Sequence, residues 1–191
     1  MQTSKSNKPL RYILLDTNIF EHLGNTDLYP QIINILKDAV SKGYGLALSQ
    51  FSILELLDTA TVTNETRAMN AISGIKQFKV NQGVLIASGH MGCLYNEDGL
   101  SNNKQPEKGD KIIAATAIIR NALIFTTNGR DFPRPFFREI SKPLLKYSKS
   151  DQDVYIVSYF LEPDFDIIQT KYDSRISNRP DSTKTEKLAK H

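Results

Sequence analysis

The chain has one cysteine, no tryptophan and no long apolar run in its 191 residues. A lone thiol, Cys93, cannot form an internal disulfide, so nothing points to an oxidising compartment. The longest apolar run, Ala114 to Ile119, is interrupted by Thr116 and is far too short to span a bilayer. The opening residues, MQTSKSNKPLRY, are polar and lack the apolar stretch of a secretory signal. The expected setting is therefore the cytoplasm, with no membrane partner. Excess charge of one sign is missing as well. The net charge is +3, but Lys171 to His191 alone carries six Lys/Arg against three Asp/Glu, leaving eighteen of each sign in residues 1–170. No overall basic field draws in a nucleic acid, so any such binding must rest on a local patch. His90 and Cys93 have an HxxC spacing, but no second ligand pair accompanies them, which argues against zinc.

What is present is ordinary in amount and informative in order. Hydrophobic residues make up 40% and charged residues 24%, enough to bury a core in one domain with an appendage. Strands and helices alternate along the chain. Tyr12 to Asp16 is a short apolar run, as expected of a strand covered on both faces. Leu28 to Lys42 has apolar residues at helical spacing and ends before Gly43. Tyr44 to Ser49 is a second strand, followed by helices over Gln50–Ala60 and Asn64–Gln77, and by a brief strand over Phe78–Val80. The pattern around Val84 to Tyr95 is helical, Glu97 to Gly109 is a loop, Asp110 to Asn121 a helix and Leu123 to Thr127 a strand. Asp153 to Leu161 reads as a final strand. The expected organisation is a polar lead over residues 1–10, one domain over 11–163, and a polar, mobile tail over 164–191. Such alternation implies a parallel sheet with helices on both faces. In such sheets ligands bind outside the carboxyl ends of the strands, so the residues that follow each strand deserve inspection.

Acids stand at those positions. Asp16 follows the first strand; Glu55 lies in the helix after the second, flanked by Ile53, Leu54, Leu56 and Leu57. Asp110 opens a later helix, and Asp131 lies just beyond the strand ending at Thr127. Singly, Asp16 and Asp110 read equally well as helix caps and Asp131 as a turn residue. Glu55 requires a partner, because an ionised group in an apolar neighbourhood is costly. Independent caps have no reason to recur at the same edge of successive strands. Converging carboxylates raise one another's pKa values, and a bound cation removes that penalty. An all-oxygen donor set favours one or two Mg²⁺ or Mn²⁺ ions, which suit phosphodiester hydrolysis. Thr17, Asn18, Thr126 and Asn128 can supply further oxygens around the acids, or simply cap local turns.

These residues fall in blocks that resemble the PIN-domain family, including VapC-type toxins. The blocks are Leu15-Asp-Thr-Asn-Ile19, Ser49 to Leu56, Gly109-Asp-Lys-Ile-Ile-Ala-Ala-Thr-Ala117 and Thr126-Thr-Asn-Gly-Arg-Asp-Phe132. They occur in the family's order and span roughly residues 11–162. The resemblance implies a three-layer α/β/α sandwich with a central parallel sheet. It also implies Mg²⁺ or Mn²⁺ dependence, endoribonuclease activity on RNA, a homodimer and, for a toxin, a protein antitoxin. On this resemblance the catalytic acids are Asp16, Glu55, Asp110 and Asp131, with metal on the first three. The fourth position departs from the family, some members having an acid where this chain has Asn128. The chain also runs on past Pro163, further than compact toxins do. Two other readings compete: a catalytically silent PIN scaffold that binds RNA or a protein, and a haloacid-dehalogenase-type phosphatase. The latter expects an acid where Asn18 stands.

One local patch is basic. Arg130, Arg134, Arg138, Lys142, Lys146 and Lys149 face only Asp131 and Glu139 within twenty residues. Pro133, Pro135 and Pro143 exclude a continuous helix there. Arg130, Arg134, Arg138 and Lys142 are the expected RNA contacts, with Phe132, Phe136 and Phe137 interleaved either as stacking partners or as core anchors.

Overall fold

The computed structural model describes residues 11–58, 62–99 and 106–177. The expected lead over 1–10, the centre of the loop before Asp110 and residues 178–191 lie outside this range.

The first half is a chain of βα units. Strand β1 (Tyr12–Leu15) leads into the short helix α1 (Thr17–His22) and then α2 (Leu28–Ser41). In α2, Leu28, Ile32, Leu36 and Ala39 are buried, one row of a 3.6-residue period. Gly43, at φ +89°, turns the chain out of α2, a conformation that costs most side chains energy. Strand β2 (Gly45–Ser49) runs directly into α3 (Gln50–Asp58), and α4 (Val62–Ile72) precedes β3 (Lys76–Phe78). This strand sits two residues earlier than the pattern predicts. The Asn81 side chain caps the next helix at the Val84 amide, so the chain must already be turning by then. Helices α5 (Gln82–Glu97) and α6 (Lys108–Arg120) follow, then β4 (Leu123–Thr126). Asn121 ends α6 at φ 47°, ψ 47°, the left-handed cap that asparagine tolerates.

Among the described residues six strands form one sheet, in the order β3-β2-β1-β4, then β8 (Tyr159–Pro163) and β5 (Phe137–Ser141). Its β3-β2-β1-β4 portion is parallel as expected. The remaining two strands extend this parallel centre in antiparallel fashion. Strand β8 pairs antiparallel with β4, and β5 antiparallel with β8. The single final strand expected over Asp153–Leu161 is two strands. β7 (Gln152–Val157) forms a separate hairpin with β6 (Leu144–Lys149), and the break falls at Ser158. The Ser158 amide and hydroxyl both donate to the Pro143 carbonyl, closing the loop that carries the hairpin.

Alternation along the strands divides the interior in two. Ile13, Leu15, Leu48, Leu123 and Phe125 face α1 and α2, together with Leu145 of the hairpin. Leu14, Ala47 and Ile124 face α5 and α6, where Met91, Leu94, Ile113, Ala114 and Ala117 pack. The result is a three-layer α/β/α sandwich. Small residues at 114, 115 and 117 bring α6 close to the sheet, which fixes the position of its first turn.

The expectation of a polar, mobile tail from residue 164 is corrected over its first part. Phe165–Ser177 is a helix, α7. The Asp164 side chain accepts from the Ile167 amide at its start, and Ile168 packs on the core beneath α5. Lys171 pairs with Asp98 and Arg175 with Glu97, while His90 meets Tyr172 edge-on. Among the described residues no helix is long and apolar enough to cross a membrane.

Candidate active site

The carboxyl end of β1 delivers Asp16 to the sheet edge, and its amide donates to the Phe125 carbonyl at 3.0 Å, extending the β1–β4 pairing by one residue. Asp16 is also the N-cap of α1, so the cap reading and the site reading describe the same residue. Its carboxylate is 4% exposed and held from both sides. Oδ1 accepts from the Thr17 amide at 2.7 Å. Oδ2 accepts from Asn18 Nδ2 at 2.7 Å and from Thr126 Oγ1 at 2.6 Å. The fully buried Thr126 hydroxyl in turn accepts from Asn18 Nδ2 and from the Asn128 amide. Asn18 Oδ1 accepts from the Thr127 amide at 3.1 Å. Thr17, Asn18 and Thr126 are thus tied into one network that fixes the Asp16 rotamer. Asn128 joins it through its backbone amide, and the residue itself is exposed.

Glu55 comes from α3, and its Oε2 accepts the Thr17 hydroxyl. The reason it can reach the site lies in α6. A Cβ on Gly109 would stand 2.5 Å from Glu55 Oε1 and 2.5 Å from Phe51 Cε1, so only glycine admits both side chains there. Asp110, the next residue, sits in the first turn of α6, where its Oδ2 accepts the Glu107 amide at 2.9 Å. Asp131 lies in a 3₁₀ turn, Gly129–Asp131, just past β4. Four elements that are distant in sequence therefore bring four acids to one edge.

Their electrostatics bear out the proximity. Asp16 is pushed up to about 6, chiefly by burial and further by the charges of Asp131 and Glu55, against the Thr126 and Thr17 hydrogen bonds. Asp110 is pushed up to about 7 by burial and by Asp131, Asp16 and Glu55, with the Glu107 amide opposing. Asp131 is raised by burial and by Glu107, while Arg130 lowers it. Of the other acids, Asp131 is the strongest influence on both Asp16 and Asp110, which places it within the cluster. Asp16 and Asp110 are disfavoured as anions by their acidic neighbours, a standing penalty that a divalent cation would remove.

The donor set fits a hard cation in its chemistry: carboxylates, hydroxyls and amide oxygens, with no thiolate among them. Its geometry is open. Among the described residues no three His, Cys, Asp or Glu side chains form a ready-made metal cage. The carboxylates instead rest on hydrogen-bond donors.

Several participants escaped the sequence reading. Gly109 could have been found as the residue immediately before Asp110, and Glu107 as an acid three residues before it. His22, at the end of α1, touches Thr127 Oγ1 through Nε2 at 3.1 Å, and burial lowers its pKa. Tyr95 of α5 is fully buried, and both burial and Asp110 raise its pKa. No local pattern marks His22 or Tyr95.

The four basic residues expected to contact RNA do not stay together. Arg130, Arg134 and Lys142 line one cleft with Tyr159, whereas Arg138 turns to Glu162 at 2.7 Å and Asp164 at 3.6 Å. Phe132, Phe136 and Phe137 are at most 2% exposed and belong to the core, so they are anchors rather than stacking partners.

No family model and no curated protein matches the chain. Solved structures do. The VapBC2 structure from Rickettsia felis, bound to a DNA fragment from its promoter, matches with a TM-score of 0.54 at 22% identity, over 63% of this chain and 90% of that one. VapBC-1 from nontypeable Haemophilus influenzae matches with a TM-score of 0.51 at 22% identity, over the same shares. The likeness is one of fold, the PIN-type fold of the VapC component that the sequence blocks resemble.

Proposed function

We propose that this chain is a metal-dependent endoribonuclease that hydrolyses RNA phosphodiester bonds at the Asp16–Glu55–Asp110–Asp131 cluster. The observation that carries the reading is the arrival of Asp16, Glu55, Asp110 and Asp131 at one sheet edge from four separate elements, where burial and neighbouring acids raise the pKa of Asp16 and Asp110. A structural role gives no reason to gather such charges without a cation among them. We assign Asp16, Glu55 and Asp110 to hold one or two Mg²⁺ or Mn²⁺ ions, with Asp131 or the Asn128 amide oxygen as the fourth ligand. Bound there, the ion would lower the pKa of water and stabilise charge on the phosphoryl oxygens. Asp16 is kept in one orientation by Thr17, Asn18 and Thr126. Thr17 Oγ1 likewise orients Glu55. Where Asn128 is the fourth ligand, Asp131 is left free to take a proton from the attacking water on an Oδ atom. Its raised pKa brings it nearer to neutrality, where a general base works best.

The open geometry of the acids favours one competing reading, a silent PIN scaffold. Incubating the protein with single-stranded and structured RNAs, with Mn²⁺ or with EDTA, separates the two. Cleavage that needs Mn²⁺ and disappears in Asp16→Ala supports the nuclease; no cleavage over a broad panel supports the scaffold. The resemblance to VapC-type toxins makes a protein antitoxin the partner to seek, and a homodimer the assembly. A cytoplasmic setting accords with both.

A further inference from the structure

Beside the acid cluster lies a shallow cavity of about 260 Å³, lined by Gly129, Arg130, Arg134, Glu139, Lys142 and Tyr159 among others. Three of these are cations, and Glu139 is the opposing charge. Arg130 and Arg134 are exposed and make no salt bridge among the described residues, and Lys142 reaches Glu139 only at 4.0 Å. Arg130 immediately precedes Asp131 in the turn Gly129–Asp131, so the cleft begins where the acid site ends. Arg138, next along β5 from the buried Phe137, is committed to Glu162 and Asp164 instead.

The cleft offers no surface on which a base can stack. Lys142 Nζ stands over the Tyr159 ring at 5.3 Å from its centroid. A Cβ on Gly129 would lie 3.2 Å from two atoms of that ring, so the Gly129 backbone already packs against it. The three neighbouring phenylalanines are buried.

We propose that Arg130, Arg134 and Lys142 form a phosphate track that holds the backbone of a single-stranded nucleic acid flanking the acid cluster, without reading its bases. The inference rests on the nuclease reading for its biological sense, but it is tested through binding alone. Cations without aromatic stacking bind through counterion release, which depends on salt and hardly on sequence. The track therefore does not distinguish RNA from DNA, and that choice falls to the acid site.

The test uses fluorescence anisotropy with labelled oligo-U, oligo-A and oligo-dT of equal length. The full chain carries Asp110→Asn and is kept in EDTA, so that nothing is cut. For single strands each phosphate contact contributes a slope of about −0.7 in log K against log [salt]. Arg134→Gln with Lys142→Gln should flatten the slope by about 1.4 and weaken binding about 25-fold at 0.1 M salt. All three oligonucleotides should respond alike, and Arg138→Gln should leave the slope unchanged. Circular dichroism melting confirms that each variant is folded. An unchanged slope in the double variant overturns the proposal, as does an equal effect from Arg138→Gln or a loss confined to one base. Absence of cleavage in the wild type, with the salt slopes as predicted, would remove the nuclease reading and leave the track standing.

Discussion

Gly109 has the most exacting position in the site. The Cβ of Gly109→Ala would meet a carboxylate oxygen and an aromatic ring at 2.5 Å each. Glu55 can swing away, but the Phe51 ring has less freedom, and overpacking of this kind costs about 1–3 kcal/mol. We expect Gly109→Ala to fold with a lowered melting temperature and to lose about tenfold or more in metal-dependent cleavage, because Glu55 is displaced. Activity equal to wild type would show that Glu55 is not held where the reaction needs it. Thr126 is a second sensitive position. Thr126→Val removes the donor to Asp16 Oδ2 and leaves Asn18 Nδ2 and the Asn128 amide short of an acceptor, at a cost of about 1–3 kcal/mol. That hydrogen bond lowers the Asp16 pKa, so its loss should move the acidic limb of the pH–rate profile upward. A profile that does not move would remove Thr126 from the account. Asp16, Asp110 and Asp131 stand out in the sequence because each follows a strand or opens a helix, and Glu55 because an acid there sits among apolar neighbours. Gly109 is legible only as the neighbour of Asp110, since its close approach to α3 leaves no local trace, and nothing local marks Tyr95 in α5.

Elements were legible where their burial pattern is regular. The βα units from β1 to β4 have buried strands and an amphipathic α2, and periodicity finds them. The region after β4 defeats that reasoning. β5 and β6 have irregular patterns with charged residues along their exposed faces, so the Arg/Lys spacing masks the strands beneath, and β7 reads as continuous with β8. α7 escaped for a related reason. None of its residues is fully buried, and it is held through half-buried contacts and ion pairs. Hydrogen exchange can check its docking. Amides from Ile168 to Ser177 should be protected well above the rate of an unstructured chain, since the helix begins with Ile168 N bonded to the Asp164 carbonyl. Exchange at the unstructured rate would restore the mobile tail. Phe136 offers the matching test on the β4–β5 connection. It is fully buried, so Phe136→Ala should cost about 3–5 kcal/mol of stability. A loss of RNA affinity without that destabilisation would return it to the binding surface.

At the scale of the whole molecule, the acid cluster makes stability depend on pH and on cations. Asp16 and Asp110 have folded pKa values of about 6 and about 7, above their ordinary value of 3.8. Between that value and about 7 the folded chain binds more protons than the unfolded one, so these groups make the metal-free protein less stable as pH rises. Asp110→Asn should therefore melt close to wild type near pH 4 and progressively above it toward pH 7.5. Mn²⁺ should raise the melting temperature of the wild type at pH 7.5 more than that of the variant. Coincident curves across the range would mean that Asp110 bears no such penalty. The overall α/β/α plan follows from alternation alone. The antiparallel β8 and β5 do not, because strand direction is set by contacts that close only in the assembled sheet.

The rate of RNA cleavage in Mn²⁺ between pH 5 and 8 tests the central claim most directly. The account predicts a rate that is abolished by EDTA, falls to background in Asp110→Asn, and has an acidic limb that moves to lower pH as Mn²⁺ is raised, because the cation competes with protons for Asp16 and Asp110. Cleavage that persists in EDTA or in Asp110→Asn would contradict it.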